Sequence, residues 1–258
     1  MGYTDFHCHL DSTDFNENRS ELIKTIFTSG VSTLVSVADP YEKDSHKITE
    51  EIAEGNENIF IMTAAHPHNA RDYSTAVEKK ILKFMEHKKA IGVGEAGLDY
   101  HYNFSTPDVQ KKVFRRQIDI AKELGKPLII HSREAESEII SMLEETKFKL
   151  PVVFHCYTGN ITDAKEIISR GYYISISGIV TFKKSGFLRE IVEMIPVDRI
   201  FSETDSPYLS PEPFRGKTND PSRVKIVADR IADIKGISPE ELNIAIKNNF
   251  DKIRKSGN

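Results

Sequence analysis

Long apolar runs are missing from this chain of 258 residues. No stretch approaches the roughly 20 consecutive apolar residues that a membrane-spanning helix needs, so no membrane partner is expected. The amino terminus runs directly into Gly2-Tyr3-Thr4-Asp5-Phe6-His7-Cys8-His9, with neither a basic segment nor a hydrophobic one before it. No secretory signal is therefore read, and a cytoplasmic location is the expectation. An excess of basic charge is missing too: 35 Lys and Arg face 39 Asp and Glu, a net charge of -4. This excludes a protein drawn to nucleic acid by its overall field, and leaves only local attraction through cations and a few Arg or Lys side chains. Cysteine is scarce. Cys8 and Cys156 each adjoin a histidine, and in a reducing compartment both are read as buried thiols rather than a bridge. Repeats, low-complexity tracts and Pro/Ser-rich linkers are absent, so residues 1–258 are read as one domain.

What the chain does have is alternation. Its 29% charged and 39% hydrophobic composition is that of an ordinary globular protein. Apolar runs of strand length lie near residues 2–6, 31–37, 59–65, 90–94, 127–130, 151–154, 172–177 and 198–202. Between them, helical spacing shows in Leu22/Ile23/Ile26/Phe27, Ile81/Leu82/Met85, Val113/Ile118/Ala121/Leu124, Ile139/Ile140/Leu143 and Val224/Val227/Ala228/Ile231. Gly30, Gly125 and Gly171 stand where helix carboxyl caps belong. Eight strands alternating with helices, in about 250 residues, predict an α/β fold: a single (β/α)8 TIM barrel.

The ends of those runs carry the chemistry. His7 and His9 follow the first, Glu95 the fourth, His131 the fifth, His155 the sixth and Asp205 the eighth. Imidazole and carboxylate are the ligands of hydrolytic divalent-metal sites. A barrel places such residues together at the carboxyl ends of its strands. His7 and His9, two apart, face the same way only if their segment is extended. Asp5 shares their parity and is expected to orient an imidazole. Gly92-Val93-Gly94-Glu95-Ala96-Gly97 has the spacing of a dinucleotide-binding turn. No helix opens after it, however, and Glu95 would face the phosphates, so the glycines are read as permitting close approach of backbone and metal. His46 and His87, among charged neighbours, are read as surface groups, and His101 as an accessory near Glu95.

Taken together, Asp5-Phe6-His7-Cys8-His9, Gly94-Glu95-Ala96-Gly97-Leu98-Asp99-Tyr100, Pro127-Leu128-Ile129-Ile130-His131-Ser132-Arg133, His155-Cys156-Tyr157-Thr158-Gly159 and Glu203-Thr204-Asp205-Ser206-Pro207-Tyr208-Leu209 resemble the motifs of the TatD-type metal-dependent deoxyribonucleases of the amidohydrolase superfamily. The resemblance runs from residue 5 to about residue 250. It implies two divalent ions (Zn, Mn, Ni, Co or Mg), one held by His7, His9, Glu95 and Asp205, the other by Glu95, His131 and His155. The expected reaction is hydrolysis of DNA phosphodiester bonds, trimming single strands or ends, with Asp205 as general base and Glu95 and His66 completing the catalytic set. Arg133, Arg215 and Lys217 are candidate phosphate contacts, and Tyr100 a candidate stacking partner for a base. The chain is read as a monomer. Two rival readings stay open: an amidohydrolase-type enzyme acting on a small amide, lactone or ester, and a catalytically idle metal-binding scaffold.

Overall fold

The computed structural model describes residues 2–102 and 104–256. Eight parallel strands, β1 (Tyr3–Cys8), β2 (Val31–Ala38), β3 (Ile59–Thr63), β4 (Ala90–Asp99), β5 (Leu128–Arg133), β6 (Val152–Phe154), β7 (Tyr173–Ile176) and β8 (Ile200–Ser202), pair in chain order. Each coincides with one of the eight expected apolar runs. Strands buried on both faces have no polar side to show, which is why they read as continuous Val, Ile and Leu; Leu34, Val35, Ile129, Ile130, Val152 and Val153 are all fully buried. The ring closes between β8 and β1. Cys8 bridges Ser206, the His9 backbone N–H donates to the Ser206 carbonyl at 2.8 Å, and Ser202 Oγ donates to the Thr4 carbonyl at 3.0 Å. The architecture is a (β/α)8 barrel.

The outer layer consists of α1 (Arg19–Thr28), α2 (Ser45–Glu54), α3 (Thr75–Phe84), α4 (Pro107–Leu124), α5 (Glu136–Glu145), α6 (Ile161–Ser169), α7 (Gly186–Met194), α8 (Val224–Lys235) and α9 (Pro239–Lys255). In α4, Val113, Phe114, Gln117, Ile118 and Ala121 form the buried stripe that a helix packed on a barrel requires. Pro107 opens that helix, and Gly125 closes it at φ 66. Gly30 and Gly171 follow α1 and α6 at φ 101 and 76, so all three expected caps are in place.

Strands β4 and β5 position the site. Their register advances three residues on β4, from Val93 to Ala96, against two on β5, from Leu128 to Ile130. This bulge falls at Glu95, and bulges re-aim side chains. The glycines permit the close approach of β5: a Cβ on Gly94 would lie 2.5 Å from Ile129 Cβ, and one on Gly97 1.9 Å from the His131 carbonyl oxygen. Removing those two side chains lets Glu95 and His131 meet. The pairing also continues past the expected ends, to Asp99 opposite Arg133, so Glu95 and His131 lie inside their strands rather than closing them.

Three further expectations are corrected. The Asp5 carboxylate orients no imidazole. It accepts from Thr204 N at 2.8 Å and Thr204 Oγ1 at 2.6 Å, tying the first strand to the segment after the last. His46 is half-buried rather than superficial: its Nε2 lies 2.9 Å from Thr63 Oγ1, and burial holds its pKa down at about 4. His87 leaves only 12% of its side chain exposed and accepts from the Lys89 backbone N–H.

Candidate metal centre

Six residues from five stretches of the chain, His7, His9, Glu95, His131, His155 and Asp205, converge at the carboxyl-end mouth of the barrel. Glu95 is the hub. Its Oε1 lies 2.7 Å from His131 Nδ1, 2.6 Å from His155 Nε2 and 3.3 Å from His66 Nε2, while its Oε2 faces His7 Nε2 at 3.5 Å. Asp205 Oδ1 stands 3.5 Å from His9 Nε2 and 3.7 Å from His7 Nε2. The ligand atoms of His7, His9 and Glu95 lie within 4.8 Å of one another, as do those of Glu95, His131 and His155. All six residues of the expected ligand sets are thus brought together. Asp205 turns back over the barrel mouth at φ 55, a left-handed conformation that Asp tolerates better than most residues, with its N–H donating to the His7 carbonyl at 2.9 Å.

Electrostatics show what this arrangement lacks. Burial would raise Glu95, but His155, His66 and His131 hold it well below the usual carboxylate range. Burial would likewise raise Asp205, yet His9 and His7 bring it down. Burial pulls against protonation of His155, but Glu95 and Glu203 lift it well above an ordinary imidazole; His9, opposed by burial and lifted by Asp205, reaches about 9. His7, depressed by burial and by His155, has no hydrogen-bond partner on either ring nitrogen. The centre therefore keeps its carboxylates ionised and demands positive charge. Divalent cations supply that charge, replace the imidazole protons and give the orphaned His7 Nε2 a partner, so the donor set fits metal ions.

Two carboxylates stand behind the imidazoles. Asp99 Oδ2 lies 3.0 Å from His131 Nε2 and 2.8 Å from His68 Nε2, and Glu203 Oε1 lies 3.3 Å from His155 Nδ1. Such partners fix which nitrogen faces the metal. The sequence reading assigned no role to His68, Asp99 or Glu203; the only signals were His66-Pro67-His68 and the acidic residues inside two recognised motifs. His66 caps the short 3₁₀ helix Pro67–Asp72, with its Nδ1 accepting from the His68 backbone N–H at 3.2 Å. It does this while its other nitrogen enters the centre.

His9, His66, His68, Glu95, His131, Asp205 and Tyr208 line a cleft of about 740 Å³. The four expected substrate contacts lie elsewhere. Arg133, at the end of β5, lines the neighbouring cleft with Asn160 and Phe187. Arg215 is exposed, 4.4 Å above the Phe182 ring, and Lys217 is exposed two residues on. Tyr100 packs against the hydrophobic core, and His101 pairs with Glu134 at 2.8 Å rather than joining Glu95. The two cysteines are not bridged, Cys8 being buried and Cys156 half-buried. Among the described residues, no helix is long and apolar enough to cross a membrane.

Comparison with known proteins points to the same fold and to metal-dependent hydrolases. An uncharacterized metal-dependent hydrolase of Bacillus subtilis, YabD, is 37% identical over 239 residues, which cover 92% of this chain and 93% of that protein. A protein of Escherichia fergusonii named 3'-5' ssDNA/RNA exonuclease TatD is 32% identical over 238 residues, covering 90% and 91%. In fold, the crystal structure of the TatD homologue YjjV from Escherichia coli superposes with a TM-score of 0.90 at 22% identity, over 98% of each chain. Residues 4–255 match the family described as TatD related DNase, and the chain belongs to that family of metal-dependent hydrolases.

Proposed function

We propose that this protein hydrolyses phosphodiester bonds of DNA, working from single-stranded ends, with two divalent ions at the Glu95 centre. The observation that carries the reading is the divided carboxylate of Glu95: Oε1 faces His131 and His155 while Oε2 faces His7, the arrangement a ligand shared by two cations requires. Bound divalent ions supply the Lewis acidity that lowers the pKa of a water and polarises a phosphoryl oxygen.

The chain's own groups do the rest. Asp205, ionised beside His9, takes the proton from the attacking water. His66 is held neutral by burial, and its Nδ1 is occupied by the His68 N–H, so Nε2 carries the ring proton. That N–H faces the cleft and donates to a non-bridging oxygen as charge develops on it. Arg133, Arg215 and Lys217 meet phosphates further along the strand, and the unbridged cysteines fit a cytoplasmic setting. The name of the Escherichia fergusonii relative supports a nucleic-acid strand as substrate.

The test offers metal-loaded protein labelled single-stranded DNA alongside a panel of lactones, esters and amides. DNA is expected to be shortened, and Asp205→Asn to lose orders of magnitude in rate with unchanged circular dichroism. Turnover of the panel alone would reject the phosphodiester assignment.

A further inference from the structure

The loop after β4 carries two aromatic rings that no step of the reaction uses. Tyr102 and Phe104 are each 54% exposed. Their planes are parallel to within 1°, with centroids 5.7 Å apart, in an offset stack. Single exposed apolar side chains are ordinary on protein surfaces, whereas a preformed stack beside a reactive centre is not. His68 stands edge-on to both rings, 5.5 Å from Tyr102 and 4.9 Å from Phe104, and its other neighbours are His66 at 4.4 Å and His131 at 5.8 Å. One imidazole therefore separates the aromatic pair from the metal ligands.

The same carboxylate also anchors both. Asp99 Oδ2 faces His131 and His68, while Asp99 Oδ1 accepts the backbone N–H of His101 at 3.0 Å and of Tyr102 at 2.9 Å. The loop that displays the rings is thus fixed relative to the nitrogen that faces the metal.

We propose that Tyr102 and Phe104 form a stacking platform for an unpaired nucleobase next to the scissile phosphate. This rests on the phosphodiester reading above and takes it further: bases inside a duplex are already stacked on both faces, so the platform selects single strands and frayed ends. Tyr100, the aromatic residue expected to stack, packs on the core, and the two rings that follow it in sequence project instead.

The test measures binding of a fluorescein-labelled oligothymidylate, made hydrolysis-resistant by phosphorothioate linkages, to the metal-loaded full chain by anisotropy. Strands with one abasic residue at successive positions from the end are compared with the intact strand. Removal of the stacked base weakens binding about tenfold at one position near the end. Tyr102→Ala with Phe104→Ala brings the intact and abasic strands to within about a factor of two, whereas Tyr102→Phe and Phe104→Tyr keep the difference. A merely structural role would weaken both strands alike. The proposal fails if no abasic position matters, if the intact strand does not bind, or if the double variant retains the discrimination. It also fails if the double variant alters only self-association in sedimentation, which makes the pair a contact between copies. Cleavage of ordinary DNA is scored separately: discrimination without cleavage overturns the phosphodiester reading and keeps the platform, and cleavage without discrimination does the reverse.

Discussion

On the β3–β6 side of the centre polar groups meet at hydrogen-bond distance, whereas on the β1/β8 side they stop short of it. His131 and His155 each touch Glu95 within 2.7 Å and are each backed by a second carboxylate, Asp99 or Glu203. Asp205 stands 3.5 Å from His9 and 3.7 Å from His7, and neither nitrogen of the fully buried His7 is partnered. A buried polar group left unpaired costs about 1–3 kcal/mol. One side is therefore assembled by the protein alone, and the other carries a cost that a cation removes.

The largest expected effect breaks the link between the two sides. Glu95→Gln removes the charge both share, so metal content by elemental analysis and turnover should each fall more than about a hundredfold, beyond the 10–100-fold typical of a ligand's hydrogen-bond partner. Retention of both ions at full rate would show that Glu95 is not shared. Asp99→Asn should act within that smaller range, on metal affinity read by titration calorimetry, because the acceptor that orients His131 then loses its charge. An unchanged affinity would mean that Glu95 alone fixes the ring. The smallest effect sharpens the contrast. At a hundred times its dissociation constant, metal adds about 2.7 kcal/mol, or roughly 5–10 °C in unfolding midpoint for a chain this size. His7→Phe should diminish that gain while leaving the chelated protein's midpoint unchanged or higher, since two orphaned nitrogens are gone. A fall of several degrees in the chelated variant would show that His7 is satisfied without metal.

The contrast also explains how much could be read from the chain. Strands buried on both faces announce themselves as apolar runs, and the ligands stand within or just after those runs, so the barrel and the six converging residues were legible. Asp99 and Glu203 were not, because their task is defined by an imidazole on another strand: Asp99 serves His131, 32 positions away, and Glu203 serves His155, 48 away. His46 misled through its neighbours. Successive helical residues diverge by about 100°, so exposed Lys47 beside it said nothing about its own face, which turns to Thr63 and Phe84. Glu95 and His131 looked like strand ends because the apolar signal stops there, while the backbone pairing, which needs no apolar side chain, goes on to Asp99 and Arg133.

The bond between Asp5 and Thr204 spans 199 positions of sequence. His7 and His9 emerge some two hundred residues before Asp205, so no nascent chain can complete the centre before its eighth strand has docked. Loops of that length are slow to close, and a cross-link that holds one closed gains accordingly. Hydrolytic competence is in this sense a receipt for finished folding: a polypeptide interrupted anywhere before the final strand lacks Asp205 and Glu203, and so holds an incomplete centre however many of its imidazoles are in place.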